Sequence, residues 1–468
     1  MSPRLALALA SSAALVAAAP AAHAGPGSGP TAAVSLGDSY ISGEAGRWQG
    51  NSIDPTPGHS GTDRACSASG PGCEADRSRV YVGGSAANGC HRSDVAEIHS
   101  AHLPVQERVN IACSGAQTKH VFRKSAGGEG PKGEAPQADQ LLDVARAKDV
   151  KLVVMTIGGN DLGFASIVAA CLQAFAIQTG PCNPGQQAVI DQNLAKATEG
   201  VRKAIQEVRA VMAEAGYGSG DYRLIVQTYP SVVPRAAEAR YPESAERDVH
   251  NCPFYDADLN WARDHAAPQI GAMVKRAAAL ERVEVIDLID LLQGHEFCSK
   301  STQEATPLAP PAPETSDWGR FVGASSISQG ATQESFHPNA YGQQAIGACL
   351  TQVAAATPGT FVCAGRAGIA PGAVEVTRQG TLTPGQVRAR APRLRLAVAR
   401  RARGCVTFRV SAAGRAIARA TVRFAGRRAR TSRRGRATFC RVRAGRRTAL
   451  ATHPAYRSAR RTVATRRR

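Results

Sequence analysis

The sequence lacks most of the features that would place it in a membrane or around a metal ion. Beyond the first 24 residues, no stretch reaches the roughly 18 uninterrupted apolar residues that a membrane-spanning helix needs. There is no Cys-x-x-Cys pair, and no histidine stands at ligand spacing from a second histidine, so a zinc site is not expected. We therefore expect neither a spanning helix nor a bound metal or other cofactor.

Acidic residues and lysine are scarce in the C-terminal part of the chain. Residues 373–468 contain 28 arginines, no lysine and one acidic residue, Glu375, which gives a net charge of +27, whereas the rest of the chain carries −7. Such asymmetry indicates two units with different surroundings. One interpretation is a surface that binds polyanions with strong salt dependence, and the other is a scattered positive surface without a partner.

The N-terminus has the pattern of an export signal. Arg4 precedes an apolar run over residues 5–19, and the small-residue sequence AHA at 22–24 precedes Gly25. We expect residues 1–24 to be removed and the protein to be secreted.

Twelve cysteines, an even number, are typical of disulfides in an oxidising compartment. Sequence alone does not fix their connectivity. Short loops favour six local pairs: Cys66 with Cys73, Cys90 with Cys113, Cys171 with Cys182, Cys252 with Cys298, Cys349 with Cys363, and Cys405 with Cys440.

Hydrophobic patterning predicts two folded units of different class. Continuous apolar runs at 31–36, 151–157, 222–227 and 283–288 are typical of parallel strands that are buried on both faces, and the helical patterns at 188–215 and 257–279 lie between them. A doubly wound α/β domain is therefore predicted over 25–366, followed by a linker over 367–392. Short alternating runs separated by glycines predict a small all-β sandwich over 393–468.

Four short segments carry candidate catalytic groups. Ser39 follows the first strand in the sequence GDSY at 37–40, and Asn160 follows the strand over 151–157 in GGND at 158–161. In such sheets, ligands bind at the carboxyl ends of the strands. Taken singly, Ser39 could be a helix cap and Asn160 an ordinary turn residue. Gly115 offers a backbone N–H in a polar loop, and His337 precedes Pro338 at a helix start.

These four segments, in this order, resemble the SGNH hydrolase superfamily in its GDSL lipase and esterase branch. The resemblance covers about residues 31–355, is most specific at GDSY, GGND and HPN, and is similar to the secreted actinobacterial lipases with disulfides. It implies a three-layer α/β/α, flavodoxin-like hydrolase domain. It also implies that Ser39 is the nucleophile, that His337 is the general base, and that Ser39, Gly115 and Asn160 supply the N–H donors of an oxyanion hole.

Two positions depart from the family pattern. Glu334 stands three residues before His337, where the family has Asp, so either the Glu334 carboxylate or its main-chain carbonyl is expected to orient the imidazole. Tyr40 replaces the Leu of the GDSL motif, and no chemical role is expected for it.

The function that the resemblance implies is hydrolysis of carboxylic esters through an acyl-serine intermediate, by a monomer acting on an ester or lipid. Two alternatives use the same site, a phospholipase and a polysaccharide O-deacetylase. A third is a surface-binding protein whose arginine-rich unit docks on an anionic cell-wall polymer, a phospholipid membrane or nucleic acid.

Overall fold

The computed structural model describes residues 26–67, 72–323, 329–379, 394–402, 404–412, 415–453 and 456–465. The export signal expected over residues 1–24 lies outside this range, as do residues 380–392 of the linker expected over 367–392.

Two groups of strands follow one another along the chain. The first group comprises β1 (Thr31–Gly37), β2 (Glu107–Asn110), β3 (Asp149–Thr156), β4 (Arg223–Gln227), β5 (Glu284–Asp290), β6 (Thr360–Ala364) and β7 (Glu375–Gln379). The second group comprises β8 (Arg395–Ala402), β9 (Cys405–Ala412), β10 (Arg415–Ala416), β11 (Thr421–Phe424), β12 (Arg427–Arg430), β13 (Arg436–Phe439), β14 (Gly445–His453) and β15 (Tyr456–Thr465).

The α-helices that the structure describes all precede β6. They are α1 (Ser39–Ser42), α2 (Ser85–Asn88), α3 (Glu97–Ser100), α4 (Thr118–Val121), α5 (Gln137–Ala147), α6 (Phe164–Ala176), α7 (Asn183–Glu214), α8 (Ala245–Val249), α9 (Asp256–Trp261), α10 (Ala267–Glu281) and α11 (Ala340–Ala355). A π-helical turn, Ala262–Ala266, joins α9 to α10.

The first seven strands form one sheet in the order β2-β1-β3-β4-β5-β6-β7. Strands β1 to β6 run parallel, and β7 pairs antiparallel with β6 at the edge. Helices α5, α7 and α10 pack together in one layer, and α3 packs against α11 in another. Because both faces are covered, the central strands are buried along most of their length. The predicted α/β hydrolase architecture is confirmed.

The second group of strands forms an all-β region, as predicted. Strand β9 lies between β10 and β13 and also pairs with β8, and a second sheet has the order β12-β11-β14-β15. Alternate side chains of these strands meet in one apolar core, in which Phe408, Phe424 and Phe439 contact one another edge to face. This alternation is what an antiparallel sheet with one buried face requires.

Part of the segment expected to be a linker is ordered as an edge strand. Residues 375–379 form β7, which pairs with β6 from Ala364↔Glu375 to Thr360↔Gln379. Residues 375–379 of the expected linker therefore belong to the sheet of the α/β domain. The polar sequence EVTRQ gave no apolar signal because this strand is largely exposed at the sheet edge.

Disulfides join the twelve cysteines in the six local pairs that short loops favour. Cys171–Cys182 ties α6 to the start of α7, and Cys349–Cys363 ties α11 to β6. No helix in the described part of the chain combines the length and the apolar character needed to cross a membrane.

The carboxyl group of Glu97, on α3, is buried, and its burial should make the free energy of unfolding depend on pH. Burial raises the pKa of Glu97 from 4.5 to about 8, with the side chain of Gln227 acting in the opposite direction. Between these two values the folded chain holds a proton that the unfolded chain releases. The free energy of unfolding should therefore fall as pH rises through this range, by about 2–3 kcal/mol between pH 6 and pH 9 from this group alone.

We expect Glu97→Gln to remove this part of the pH dependence, because an amide does not titrate. Denaturant unfolding followed by tryptophan fluorescence would measure it, since all three tryptophans lie in the α/β domain: Trp48, Trp261 and Trp318. Equal pH slopes in the wild type and the variant would contradict the assignment.

Candidate active site

The turn after β1 presents Ser39 at the carboxyl end of the sheet. Gly37 has φ +136°, and a Cβ atom there would lie 1.9 Å from the carbonyl oxygen of Thr156, so only glycine fits this close approach. Asp38, not Ser39, is the N-cap of α1, because its carboxylate accepts a hydrogen bond from the N–H of Tyr40 at 3.2 Å. The Ser39 hydroxyl is therefore free for another partner.

That partner is His337, on the loop before α11. The Ser39 Oγ and the His337 Nε2 are 2.7 Å apart, and both side chains are buried. Burial lowers the pKa of His337 below its ordinary value, while the negative charge of Glu44 and nearby backbone carbonyls act in the opposite direction. The imidazole is therefore neutral at neutral pH and able to accept the serine proton.

The other imidazole nitrogen is held by a main-chain group. The His337 Nδ1–H donates to the carbonyl oxygen of Ser335 at 2.8 Å. The Glu334 carboxylate points elsewhere: it accepts from the Trp48 indole N–H at 2.9 Å and from the Tyr81 hydroxyl at 2.6 Å. The Glu334 carboxylate therefore does not orient the imidazole, because these bonds hold it in a separate buried network. The main-chain carbonyl of Glu334 acts on His337 together with that of Ser335, so the place of Glu334 in the catalytic set stays a prediction.

We expect Glu334→Gln to cost stability and little catalysis. Glutamine keeps one acceptor oxygen, which cannot accept from both the Trp48 indole N–H and the Tyr81 hydroxyl as the carboxylate does. The free energy of unfolding should therefore fall by about 1–3 kcal/mol. Turnover should change by less than about tenfold, whereas replacing an orienting carboxylate by its amide costs about 10⁴-fold. Steady-state kinetics beside a denaturation curve distinguish the two, and a 10⁴-fold loss in a folded variant would restore Glu334 as the orienting acid.

Asn160 begins the short helical turn that follows β3, beside the nucleophile. Its amide Nδ2 donates to the carbonyl oxygen of Ala116 at 2.9 Å, and Asn160 lines the same cavity as Ser39. The preceding Gly159 N–H donates to the Tyr229 hydroxyl at 2.9 Å, which in turn donates to Asp38 at 2.5 Å. This chain of bonds links the turns that follow three neighbouring strands, β1, β3 and β4.

Gly115 lies in the loop after β2, on the other side of β1. Its φ is +80°, which favours glycine, and open space surrounds the position of a Cβ atom. The loop is tied to the Asn160 turn because Asp161 accepts from the Thr118 N–H at 2.9 Å and from the Thr118 hydroxyl at 2.7 Å. Gly115 does not line the cavity, so its place in an oxyanion hole stays a prediction.

Tyr40 has a structural part in the site that the sequence did not indicate. Its hydroxyl donates to the carbonyl oxygen of Phe336 at 2.7 Å, and its ring lies 4.9 Å from the imidazole of His337 between centroids. Phe336 has φ +64°, an unfavourable conformation for a bulky side chain. The tyrosine thus supports a strained backbone next to the histidine.

An apolar cavity opens beside Ser39 at the carboxyl ends of the strands. Its volume is about 110 Å³. Helix α6 and the segment from α9 to α10 supply much of its wall: Phe164, Ile167, Val168, Cys171, Leu259, Trp261 and Ile270. Asp38 also borders this cavity, and burial raises the pKa of its carboxyl to about 7. The cavity can hold an apolar group next to the serine hydroxyl.

One group of three side chains with metal-binding atoms occurs in the described ranges. It consists of Cys171, Cys182 and Asp258. The two sulfurs are joined in a disulfide, so neither is a free thiolate. The Asp258 carboxylate accepts hydrogen bonds from the N–H groups of Cys182 and Asn183 at the start of α7. These contacts give this group a structural role.

Comparison with known protein families supports the reading of the motifs. A family model described as the GDSL-like lipase/acylhydrolase family matches residues 35–345, which is more than half of the chain and includes Ser39, Gly115, Asn160 and His337. No curated protein sequence matches the chain significantly. The chain belongs to the GDSL-like lipase/acylhydrolase family.

Proposed function

We propose that this protein is a secreted carboxylic ester hydrolase, a lipase or esterase, that transfers the acyl group of its substrate to Ser39 and then to water. The observation that carries the proposal is the 2.7 Å contact between His337 and Ser39, which lines an apolar cavity. Secretion is supported by the N-terminal signal pattern and by six disulfides.

In the first half of the reaction, His337 takes the Ser39 proton as the hydroxyl oxygen attacks the ester carbonyl carbon. The Ser39 backbone N–H, the Gly115 N–H and the Asn160 amide stabilise the oxyanion of the tetrahedral intermediate. The imidazolium then protonates the leaving alcohol, which departs as the acyl-enzyme forms.

In the second half, His337 removes a proton from water, which attacks the acyl carbon. The same donors hold the second oxyanion until Ser39 leaves with its proton restored. The Ser335 carbonyl keeps the imidazole oriented throughout. Since His337 must be neutral to act, activity should fall with acidification only below the ordinary histidine pKa.

The cavity favours a substrate with an extended acyl chain. Burial of apolar surface contributes about 0.8 kcal/mol per methylene, so each carbon that enters the cavity strengthens binding. An acetyl group would leave most of this space unused, which favours a lipase or phospholipase over a polysaccharide O-deacetylase. Hydrolysis of p-nitrophenyl esters from acetate to palmitate by residues 25–468 tests this preference for long acyl chains over acetyl.

A substitution in the cavity wall tests the acyl site directly. We expect Val168→Trp to lower kcat/KM for the octanoate ester by about tenfold or more relative to the acetate ester, because the larger ring fills space that a long chain needs. Ala169→Trp is the matched control, since Ala169 is exposed on the same helix. Equal effects on both esters in Val168→Trp would place the acyl chain elsewhere.

A further inference from the structure

The outer face of the sheet β12-β11-β14-β15 carries an ordered group of arginines. On β11, Val422 and Phe424 point into the core while Arg423 points outward. Arg423 lies opposite Arg428 of β12 and opposite Leu450 of β14.

Arg428, Arg423 and Leu450 thus form a row across three strands, and this row continues on β15. Leu450 lies opposite Arg460 of β15, and Arg430 of β12 lies beside the row, opposite Thr421. Neighbouring strands are about 4.8 Å apart, so the row from Arg428 to Arg460 spans about 14 Å. We call Arg423, Arg428, Arg430 and Arg460 the outer arginine face.

No counter-charge is available for the outer arginine face within its own domain. Residues 394–468 contain no aspartate and no glutamate. All four side chains are exposed, and across the described ranges none of them forms an ion pair or a side-chain hydrogen bond. Like charges opposite each other on a sheet are destabilising, so an external anion would stabilise this arrangement.

We propose that the outer arginine face binds the surface of an anionic phospholipid bilayer. The face has the charge sign and the breadth to meet several lipid phosphates at once, and arginine matches phosphate geometry with two parallel N–H donors. The phenylalanines of this domain are buried in its core, so they offer no platform on which the bases of a single-stranded nucleic acid could stack. The proposal rests on this face alone and is independent of the chemistry at Ser39.

Vesicle binding by the full mature chain tests the proposal. The chain would carry Ser39→Ala so that the lipids stay intact, and would be sedimented with vesicles of about 30% phosphatidylglycerol in phosphatidylcholine at about 0.1 M salt. We expect binding to these vesicles, little binding to pure phosphatidylcholine, and release as the salt concentration rises. Addition of R423Q/R428Q/R460Q should weaken binding on the order of a hundredfold, since each arginine near such a surface contributes about 1 kcal/mol.

The matched control removes the same charge from the other sheet. Arg395, Arg409 and Arg436 are exposed on β8, β9 and β13, and R395Q/R409Q/R436Q should weaken binding by less than about fivefold. Equal weakening by the two triple variants would overturn the proposal, because vesicle binding would then depend on the net charge of the chain and not on the outer arginine face.

Two other results would also overturn it. One is equal binding to neutral and anionic vesicles, and the other is tighter binding to duplex DNA or to an anionic wall polymer than to the phosphatidylglycerol vesicles. With Ser39 restored, both triple variants should hydrolyse p-nitrophenyl acetate at the wild-type rate. Loss of vesicle binding with unchanged hydrolysis thus separates this surface from the proposed catalytic function.

Discussion

Replacing Ser39 with alanine is expected to lower kcat for ester hydrolysis by at least about 10⁴-fold, since removal of a serine or histidine from such a pair in another serine hydrolase costs about 10⁶-fold. The variant should fold normally, because the Ser39 side chain makes one hydrogen bond, to His337. Residual hydrolysis would come from oxyanion stabilisation and substrate binding alone. The measurement is steady-state hydrolysis of p-nitrophenyl butyrate, beside circular dichroism.

Ser35→Ala is the control for this substitution. Ser35 is buried on β1, the strand that precedes Ser39, and its hydroxyl has no hydrogen-bond partner in the described part of the chain. Its removal should leave turnover within about twofold of the wild type, because the serine hydroxyl that contacts the imidazole is that of Ser39. A folded Ser39→Ala variant that retains more than a tenth of the activity would mean that another group is the nucleophile.

Asn160→Ala is expected to lower kcat by about 10²–10³-fold with little change in KM, because an oxyanion donor acts chiefly in the transition state. The substitution also removes the hydrogen bond to the Ala116 carbonyl, which by itself contributes about 1 kcal/mol to stability. Kinetics with the butyrate ester, together with a denaturation curve, separate the two effects.

Asn193→Ala controls for the loss of one amide-to-carbonyl bond near this turn. The Asn193 amide donates to the carbonyl oxygen of Leu162 at 3.3 Å from helix α7, and Asn193 does not line the cavity. This variant should keep turnover within about threefold of the wild type. A similar loss in both variants would assign the effect of Asn160→Ala to disorder of the loop and not to the oxyanion.

Sequence patterns predicted the central strands because these strands are buried on both faces. The runs at 31–36, 151–157, 222–227 and 283–288 correspond to β1, β3, β4 and β5, with ends shifted by up to two residues. The two edge strands, β2 and β7, gave no continuous apolar run in the sequence. Strand β2 is short and half-buried, and β7 is polar and exposed, so neither has a continuous apolar run.

The site was predictable where side chains carry the chemistry and unpredictable where the main chain does. Ser39 and Asn160 could be found because each follows a recognisable strand end. The Nδ1 of His337 is held by the carbonyl of Ser335, a group that every residue type possesses, so no sequence pattern distinguishes it from the Glu334 carbonyl that was expected there. Glu334 attracted the assignment because its spacing resembles the family acid, although its partners Trp48 and Tyr81 are distant in sequence.

Covalent trapping of the nucleophile tests the central claim most directly. A fluorophosphonate phosphonylates an activated serine, and mass spectrometry of the digested mature chain would locate the added group. We predict a single label on Ser39 that appears in step with the loss of esterase activity and that is absent from His337→Ala, because the hydroxyl is then no longer activated. Full inactivation with the label on a different residue, or an active enzyme that carries phosphonylated Ser39, would contradict the account.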